Sequence, residues 1–231
     1  MQTPYAKLVI FDCDGVLIDS EVLSMESWQE VLVRYDVSLS KQYFVEHFLG
    51  KSMEHVEWVV NRDFCLELTT SIKEDFQALL FEKFGNSLQK TRGITDVLAK
   101  LKARNIPYCV ATSSSLERTM KALENTELLS YFHGRIFTRS LVENGKPAPD
   151  LFLYAAKTLN VKPEHCIVIE DSQPGLAAAR AAKMPYFHYK GGTHLHNCTG
   201  NEFSSESNTL HSWNEFIPHI SCLFDTRKTN E

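Results

Sequence analysis

The chain has 231 residues, 43% of them hydrophobic and 23% charged, with a formal net charge of −5. That length can bury one large core or two small ones. The acidic balance argues against nucleic acid or an anionic membrane surface as the main partner. The six cysteines are scattered without a Cys-x-x-Cys pair, which argues against a structural zinc site. There is no apolar signal core and no run long enough to span a bilayer, so a cytoplasmic protein is expected, monomeric or at most a weak homodimer.

The apolar run Leu8 to Phe11 reads as a buried strand that stops at a carboxylate, Asp12. A second carboxylate, Asp14, follows, and then Gly15, which lets the backbone turn sharply. Ser20 is a helix N-cap candidate, and Trp28, Val31, Leu32 and Tyr35 share one apolar face beyond it. A second helix is expected from about Ser52, carrying Met53, Val56 and Val60. A third, Lys73 to Phe84, presents Phe76, Leu79 and Leu80. No strand-like run occurs between about residues 20 and 88. That helical block reads as an insertion bounded by Gly15 on one side and by Gly85 and Gly93 on the other, a lid able to move as a unit.

From Gly93 helices and strands alternate. Ile94, Val97, Leu98 and Leu101 form a helical stripe, and Tyr108 to Ala111 a strand ending in Thr112, Ser113, Ser114 and Ser115. A helix with Met120 and Leu123 follows, then a short strand at Arg135 to Thr138. Asp150 is expected to cap a helix with Phe152, Ala155, Ala156 and Leu159 on its face. Cys166 to Ile169 is another buried strand, ending in Glu170 and Asp171. Pro174 opens an Ala-rich helix, and Tyr186 to Tyr189 make a last strand. The alternation implies an α/β fold of parallel strands with right-handed crossovers. The stretch from about 191 to 207 is polar and irregular, and 225–231 reads as a frayed end.

Parallel strands bring their C-terminal ends to one edge, so Asp12 with Asp14, Thr112, and Glu170 with Asp171 meet in one crevice. Lys146, in a Gly-Lys-Pro loop, is placed to reach the same edge. The carboxylates of Asp12 and Asp171 with a nearby carbonyl are hard oxygen ligands suited to Mg²⁺. The Thr112 hydroxyl, backbone N–H groups and the Lys146 ammonium suit a phosphoryl group. One carboxylate can attack phosphorus while the other protonates the leaving oxygen and later activates water. Ser113 to Ser115 lack the surroundings of a serine nucleophile. His194 and His196 read as loop residues rather than metal ligands, Trp28 and Trp58 as core of the helical block, and Arg118 as a solvated charge.

These residues carry a resemblance to the haloacid dehalogenase superfamily, in the branch with a helical cap after the first motif. The chain is most similar there to the β-phosphoglucomutase and sugar-phosphate phosphatase subgroup. Phe11-Asp12-Cys-Asp14-Gly through Asp19-Ser20-Glu21 resembles the first motif and Val-Ala-Thr112-Ser113-Ser114 the second. Gly145-Lys146-Pro147 through Asp150 resembles the third, and Ile-Glu170-Asp171-Ser172 the fourth. The resemblance implies a Rossmann-like parallel-sheet core, residues 1–17 and 89–231, with an inserted helical cap, residues 18–88. It makes Asp12 the nucleophile, Asp14 the acid/base, Thr112 a phosphate binder and Lys146 the stabilising cation. Mg²⁺ is then held by Asp12, the Asp14 carbonyl and Asp171, with Glu170 in support.

The implied activity is a Mg²⁺-dependent phosphatase of small phosphorylated metabolites, sugar phosphates in particular, working through an aspartyl-phosphate. Glu21, Ser113, Ser114 and the cap loop with Gly50 and Lys51 are implied on the substrate side. Lys51 is a candidate for a second substrate anion, as in 6-phosphogluconate. Dehalogenases of the family lack the acid at the position of Asp14. The mutases carry a cap histidine where this chain has Ser24. A hexose-phosphate mutase and a catalytically silent scaffold remain the alternatives.

Overall fold

The computed structural model describes residues 6–195 and 208–223, with side chains described as far as 220. Six strands form one sheet: β1 (Leu8–Phe11), β2 (Tyr108–Thr112), β3 (Ile136–Thr138), β4 (Cys166–Glu170), β5 (Tyr186–Tyr189) and β6 (Thr209–Leu210). Their order is β3-β2-β1-β4-β5-β6, and every neighbouring pair is parallel. The order reverses at β1, so the crevice beyond its C-terminal end lies where such sheets bind ligands.

Alternate strand residues serve opposite faces, which is why the strands read as unbroken apolar runs. Val9, Phe11, Val110, Ile167 and Ile169 pack with α5 (Ile94–Ala103), α6 (Leu116–Asn125) and α9 (Trp213–Leu223). Leu8, Ile10, Cys109, Ala111 and Val168 pack with α7 (Asp150–Thr158) and α8 (Gln173–Ala181). Between β1 and α5 come four helices, α1 (Glu21–Leu32), α2 (Lys41–His47), α3 (Met53–Phe64) and α4 (Thr70–Ser87). Trp28 lies flat on Phe76 at 3.9 Å, and Val31, Val56, Leu80 and Phe84 continue the same apolar cluster from the sheet face outward.

The chain crosses from sheet to helices and back along paired backbone. Asp19 N donates to Gln89 O and Thr91 N to Leu17 O, at 2.9 and 3.0 Å. The buried Thr91 hydroxyl donates to Val16 O (2.6 Å) and accepts from Trp213 Nε1 (2.9 Å). Trp213 is fully buried and stacks on Tyr189 at 4.4 Å.

Several local expectations need correction. Gly85 lies inside α4, so it is no joint; helix propagation there outweighs a single glycine. Tyr35 falls beyond the end of α1 in a 3₁₀ turn and is exposed, because Asp36 turns left-handed (φ 61°). Trp58 is 56% exposed, its ring covered by the Arg62 guanidinium rather than by core. Met120 is also exposed. Asp150 is the first helical residue rather than a cap, and its carboxylate accepts from Asn144 N and Nδ2. α2, β6 and α9 were not foreseen. His196, Cys198, the irregular stretch from 196 to 207 and the expected frayed end lie outside the described residues.

Trp213→Ala should destabilise the chain by ~3–5 kcal/mol in urea denaturation, the usual cost of emptying a fully buried aromatic site. Trp213→Phe should cost much less, since it gives up mainly the hydrogen bond to Thr91. Equal, small losses in both variants would show that α9 is not part of the core.

Candidate active site

The turn after β1 holds two carboxylates with opposite partners. Asp12 Oδ1 accepts from Lys146 Nζ at 2.6 Å, and the same ammonium donates to Glu170 Oε2 at 2.7 Å. Lys146 has 1% of its side chain exposed and lies 4.9 Å over the Phe152 ring. Burial alone would discharge this ammonium, but Asp12 and Glu170 outweigh it and hold its pKa well above the ordinary value. Burial and then Glu170 push the Asp12 carboxyl well up, while Lys146 opposes them.

Asp14 points to other donors. Its Oδ1 accepts from Ser20 Oγ (2.6 Å) and Arg118 Nη2 (2.8 Å), and its Oδ2 from Ser114 Oγ (2.7 Å). Burial raises its pKa, but Arg118 and the two hydroxyls prevail, and the net shift is downward. Ser20 therefore stands at the N-cap of α1 but spends its hydroxyl on Asp14 rather than on the helix. Arg118, expected to be solvated, is only 19% exposed and belongs to the site. Its position in the first turn of a helix that begins at a polar strand end was the available signal. Ser115 caps that turn by accepting from Arg118 N.

On β4, Glu170 Oε1 accepts from Ser172 N (3.1 Å) and Ser172 Oγ (2.6 Å). The first turn of α8 comes so close that a Cβ on Gly175 would lie 2.0 Å from Glu170 Cδ. Asp171 lies opposite Gly15, whose φ is +74° and whose added Cβ would be 1.9 Å from Asp171 Oδ2. Asp12, Glu170 and Asp171 each bring a carboxylate oxygen within 4.8 Å of the others. Three buried carboxylates face one ammonium here, and the all-oxygen donor set fits a small hard divalent cation. The Asp14 carboxylate takes no part in that cluster. Among the described residues no other group of this kind occurs.

Asp12, Asp14, Thr112, Ser113, Ser114 and Lys146 line one side of a cavity of about 310 Å³. Glu21, Ser24, Trp28, Gly50 and Lys51 line the other, so the structure brings both groups of expected residues together. Thr112 Oγ1 accepts from Ser114 N at 3.1 Å, which shapes the turn beyond β2. Gly50 (φ +68°) lies against Ser172, within 2.3 Å of its Oγ for an added Cβ, so the helical block touches the β4 turn there. Lys51 is half-buried, forms no ion pair among the described residues, and has its pKa lowered by burial. Glu21 is buried, and burial first and Asp14 second push its pKa up to about 8, against the pull of Arg118. At neutral pH it is therefore a neutral donor rather than an anion.

With this geometry the chain belongs to the haloacid dehalogenase-like hydrolases, whose family model matches residues 6–183. The 6-phosphogluconate phosphatase of Escherichia coli K12 is 26% identical over 187 residues, 80% of this chain and 83% of that protein. The β-phosphoglucomutase of Bacillus subtilis 168 is 30% identical over 188 residues, 77% and 80% of the two chains. Among solved structures, a haloacid dehalogenase hydrolase of Entamoeba histolytica superposes with a TM-score of 0.77. It is 26% identical, over 94% of this chain and 99% of that one.

The Glu21 environment sets a pH dependence of stability. The unfolded chain releases this proton near 4.5 and the folded chain near 8, so raising the pH between those values favours unfolding. Glu21→Gln should match the parent's unfolding free energy at pH 4 and exceed it increasingly up to about pH 8, by no more than ~5 kcal/mol in denaturant titrations. A gap that stays constant with pH would contradict the assignment.

Proposed function

We propose that the protein is a Mg²⁺-dependent phosphatase of small phosphorylated metabolites, sugar phosphates above all, acting through an aspartyl-phosphate on Asp12. The observation that carries this is the division of labour between two carboxylates on one turn. Asp12 faces an ammonium and a carboxylate cluster, and Asp14 faces the substrate cavity among Ser20, Ser114 and Arg118.

Lys146 opposes the burial and the Glu170 charge that favour a protonated Asp12, and it draws an incoming phosphoryl group toward that carboxylate. The Asp12 carboxylate attacks phosphorus and the bond to the leaving oxygen breaks; Asp14, ionised at rest, takes up a proton from solvent before it passes one to that oxygen. Asp14, now a carboxylate, takes a proton from water as the water oxygen attacks phosphorus and frees Asp12. The Thr112 hydroxyl, oriented by Ser114 N, and the Ser113 N–H hold phosphoryl oxygens. Asp12 and Asp171, with the Asp14 carbonyl, would hold Mg²⁺, with Glu170 in support; the ion would screen the repulsion between anionic nucleophile and anionic substrate.

In this reading residues 18–88 are the cap over a base formed by 1–17 and 89–231. Glu21, as a neutral donor, and Lys51, a half-buried cation without a counter-ion among the described residues, meet the leaving group. Lys51 favours a second anion on the substrate, and 6-phosphogluconate is the candidate that the Escherichia coli relative's name suggests. Ser24 lines the cavity where the mutases carry a histidine, which favours transfer to water over return to a sugar. The buried free thiols Cys13, Cys109 and Cys166 accord with a reducing, cytoplasmic setting. Among the described residues no helix is long and apolar enough to cross a membrane.

Phosphate release from a panel of phosphorylated sugars and sugar acids, with Mg²⁺ and with EDTA, tests the proposal. Release should need the metal and fall at least ~10³-fold in Asp12→Asn. Lys51→Ala should raise KM about tenfold for 6-phosphogluconate, the worth of one charge-assisted contact, and less for glucose 6-phosphate. A folded protein with Mg²⁺ that releases phosphate from no member of the panel refutes the phosphatase reading.

A further inference from the structure

His194 lies on the turn Thr193–Leu195, just beyond β5, in a segment whose composition suggested nothing but loop. It is 3% exposed, and its Nε2 stands 2.9 Å from Asp171 Oδ2. Two glycines clear the slot that holds the ring. A Cβ on Gly15 would come within 2.7 Å of its Cε1, and one on Gly192 within 2.6 Å of the same atom. The turn is tied to the loop that follows Asp14, because Thr193 N donates to Asp19 Oδ1 at 3.0 Å. Asp171 is held from the β5 side as well, its carbonyl lying 3.1 Å from His188 Nε2. The approach of His194 to the carboxylate is close but oblique, and Oδ2 takes an in-line hydrogen bond from no described group. Among the described residues, His194 Nε2 is thus the one ring nitrogen within reach of a carboxylate oxygen of the acidic cluster, and it stands outside that cluster itself.

We propose that His194 is a positioning residue for the cation site, fixing the rotation of the Asp171 carboxylate so that one oxygen stays turned toward Asp12 and Glu170. The inference rests on the reading of Asp12, Glu170 and Asp171 as a cation site. Without the ring against Oδ2 the Asp171 carboxylate is held on one side only, by Glu170 and its own backbone, and the cation must complete its ordering on binding. With the ring in its slot that ordering is done by the fold. Groups that orient a ligand rather than touch the metal typically govern affinity by 10–100-fold. A histidine that merely filled the slot would leave cation affinity unchanged.

The test is calorimetric titration of the full chain, free of phosphate, with Mg²⁺ and with Mn²⁺. Glutamine reaches where histidine Nε2 reaches, whereas asparagine stops near Nδ1. His194→Asn should therefore weaken both ions about 10–100-fold, and His194→Gln should bind close to the parent. KM for substrate at saturating metal should move in neither. Should the asparagine variant fail to fold, Asp19→Ala releases the turn from outside the slot and should weaken the ions in the same sense. Equal Kd values in the parent, His194→Asn and Asp19→Ala overturn the proposal. Tighter binding in His194→Asn overturns it too, since the imidazole would then be a competitor. A parent chain that takes up neither ion removes the cation site itself, a failure visible before any substitution is made.

Discussion

The ammonium of Lys146 is the point on which the site depends. It has left water almost completely, and two carboxylates, from the ends of β1 and β4, close on it within 2.7 Å. A buried charge of this kind is tolerable only with near-complete pairing. The three partners come from segments 134 and 24 residues apart in sequence, so the sheet must be in register before any of them is satisfied. Removing Lys146 would leave Asp12 and Glu170 facing each other in a dry pocket, each already penalised by burial. Stability and chemistry thus draw on the same contact. The Ser172 hydroxyl and the glycine at 175 serve it indirectly, by holding Glu170 in the one orientation that meets the lysine.

The second constraint is the turn from Asp12 to Gly15. Its left-handed glycine lets Asp171 close to a distance no Cβ would allow. Asp12 joins the carboxylate cluster while Asp14, two residues on, is drawn toward Ser20, Ser114 and Arg118. Different surroundings push two chemically identical side chains in opposite directions, Asp12 upward in pKa and Asp14 downward. Distinct roles for a pair of carboxylates generally arise in this way.

Much of this was legible in the sequence because it is local or periodic. Leu8 to Phe11 and Cys166 to Ile169 are buried on both faces, so they appear as plain apolar runs. The acids follow directly from where those runs stop, and Thr112 from where Tyr108 to Ala111 stops. Lys146 was readable only because its loop motif is distinctive. What escaped depends on reach rather than position. Arg118 looks like any surface arginine until its long side chain is seen to meet Asp14 across the crevice. His194 sits in polar chain, and only the two glycines that clear its slot make it a buried residue. Trp58 fits a helical stripe yet is exposed, because periodicity records a face and not what lies against it. α9 carries a proline at 218, which masked its helical pattern.

The attachment of the helical block follows from these same contacts. Both crossings run side by side at residues 16–19 and 89–91, stitched by backbone hydrogen bonds and backed by Thr91 and Trp213 from the core. On the side facing the cavity the block also meets the core through side-chain contacts. Gly50 rests on Ser172, Gln77 Nε2 donates to Glu117 Oε2, and the Phe84 ring lies beneath the Arg118 guanidinium. Paired backbone with a buried indole behind it resists opening, whereas exposed amide and carboxylate contacts exchange with water at little cost. The helical block is thus tied by paired backbone at the crossings and by polar and ring contacts at the mouth, where Lys51 and Gln77 line the cavity. Arg118 lines it too, with one nitrogen on Asp14. The residue that lowers the pKa of Asp14 therefore also touches the helical block, through the ring of Phe84.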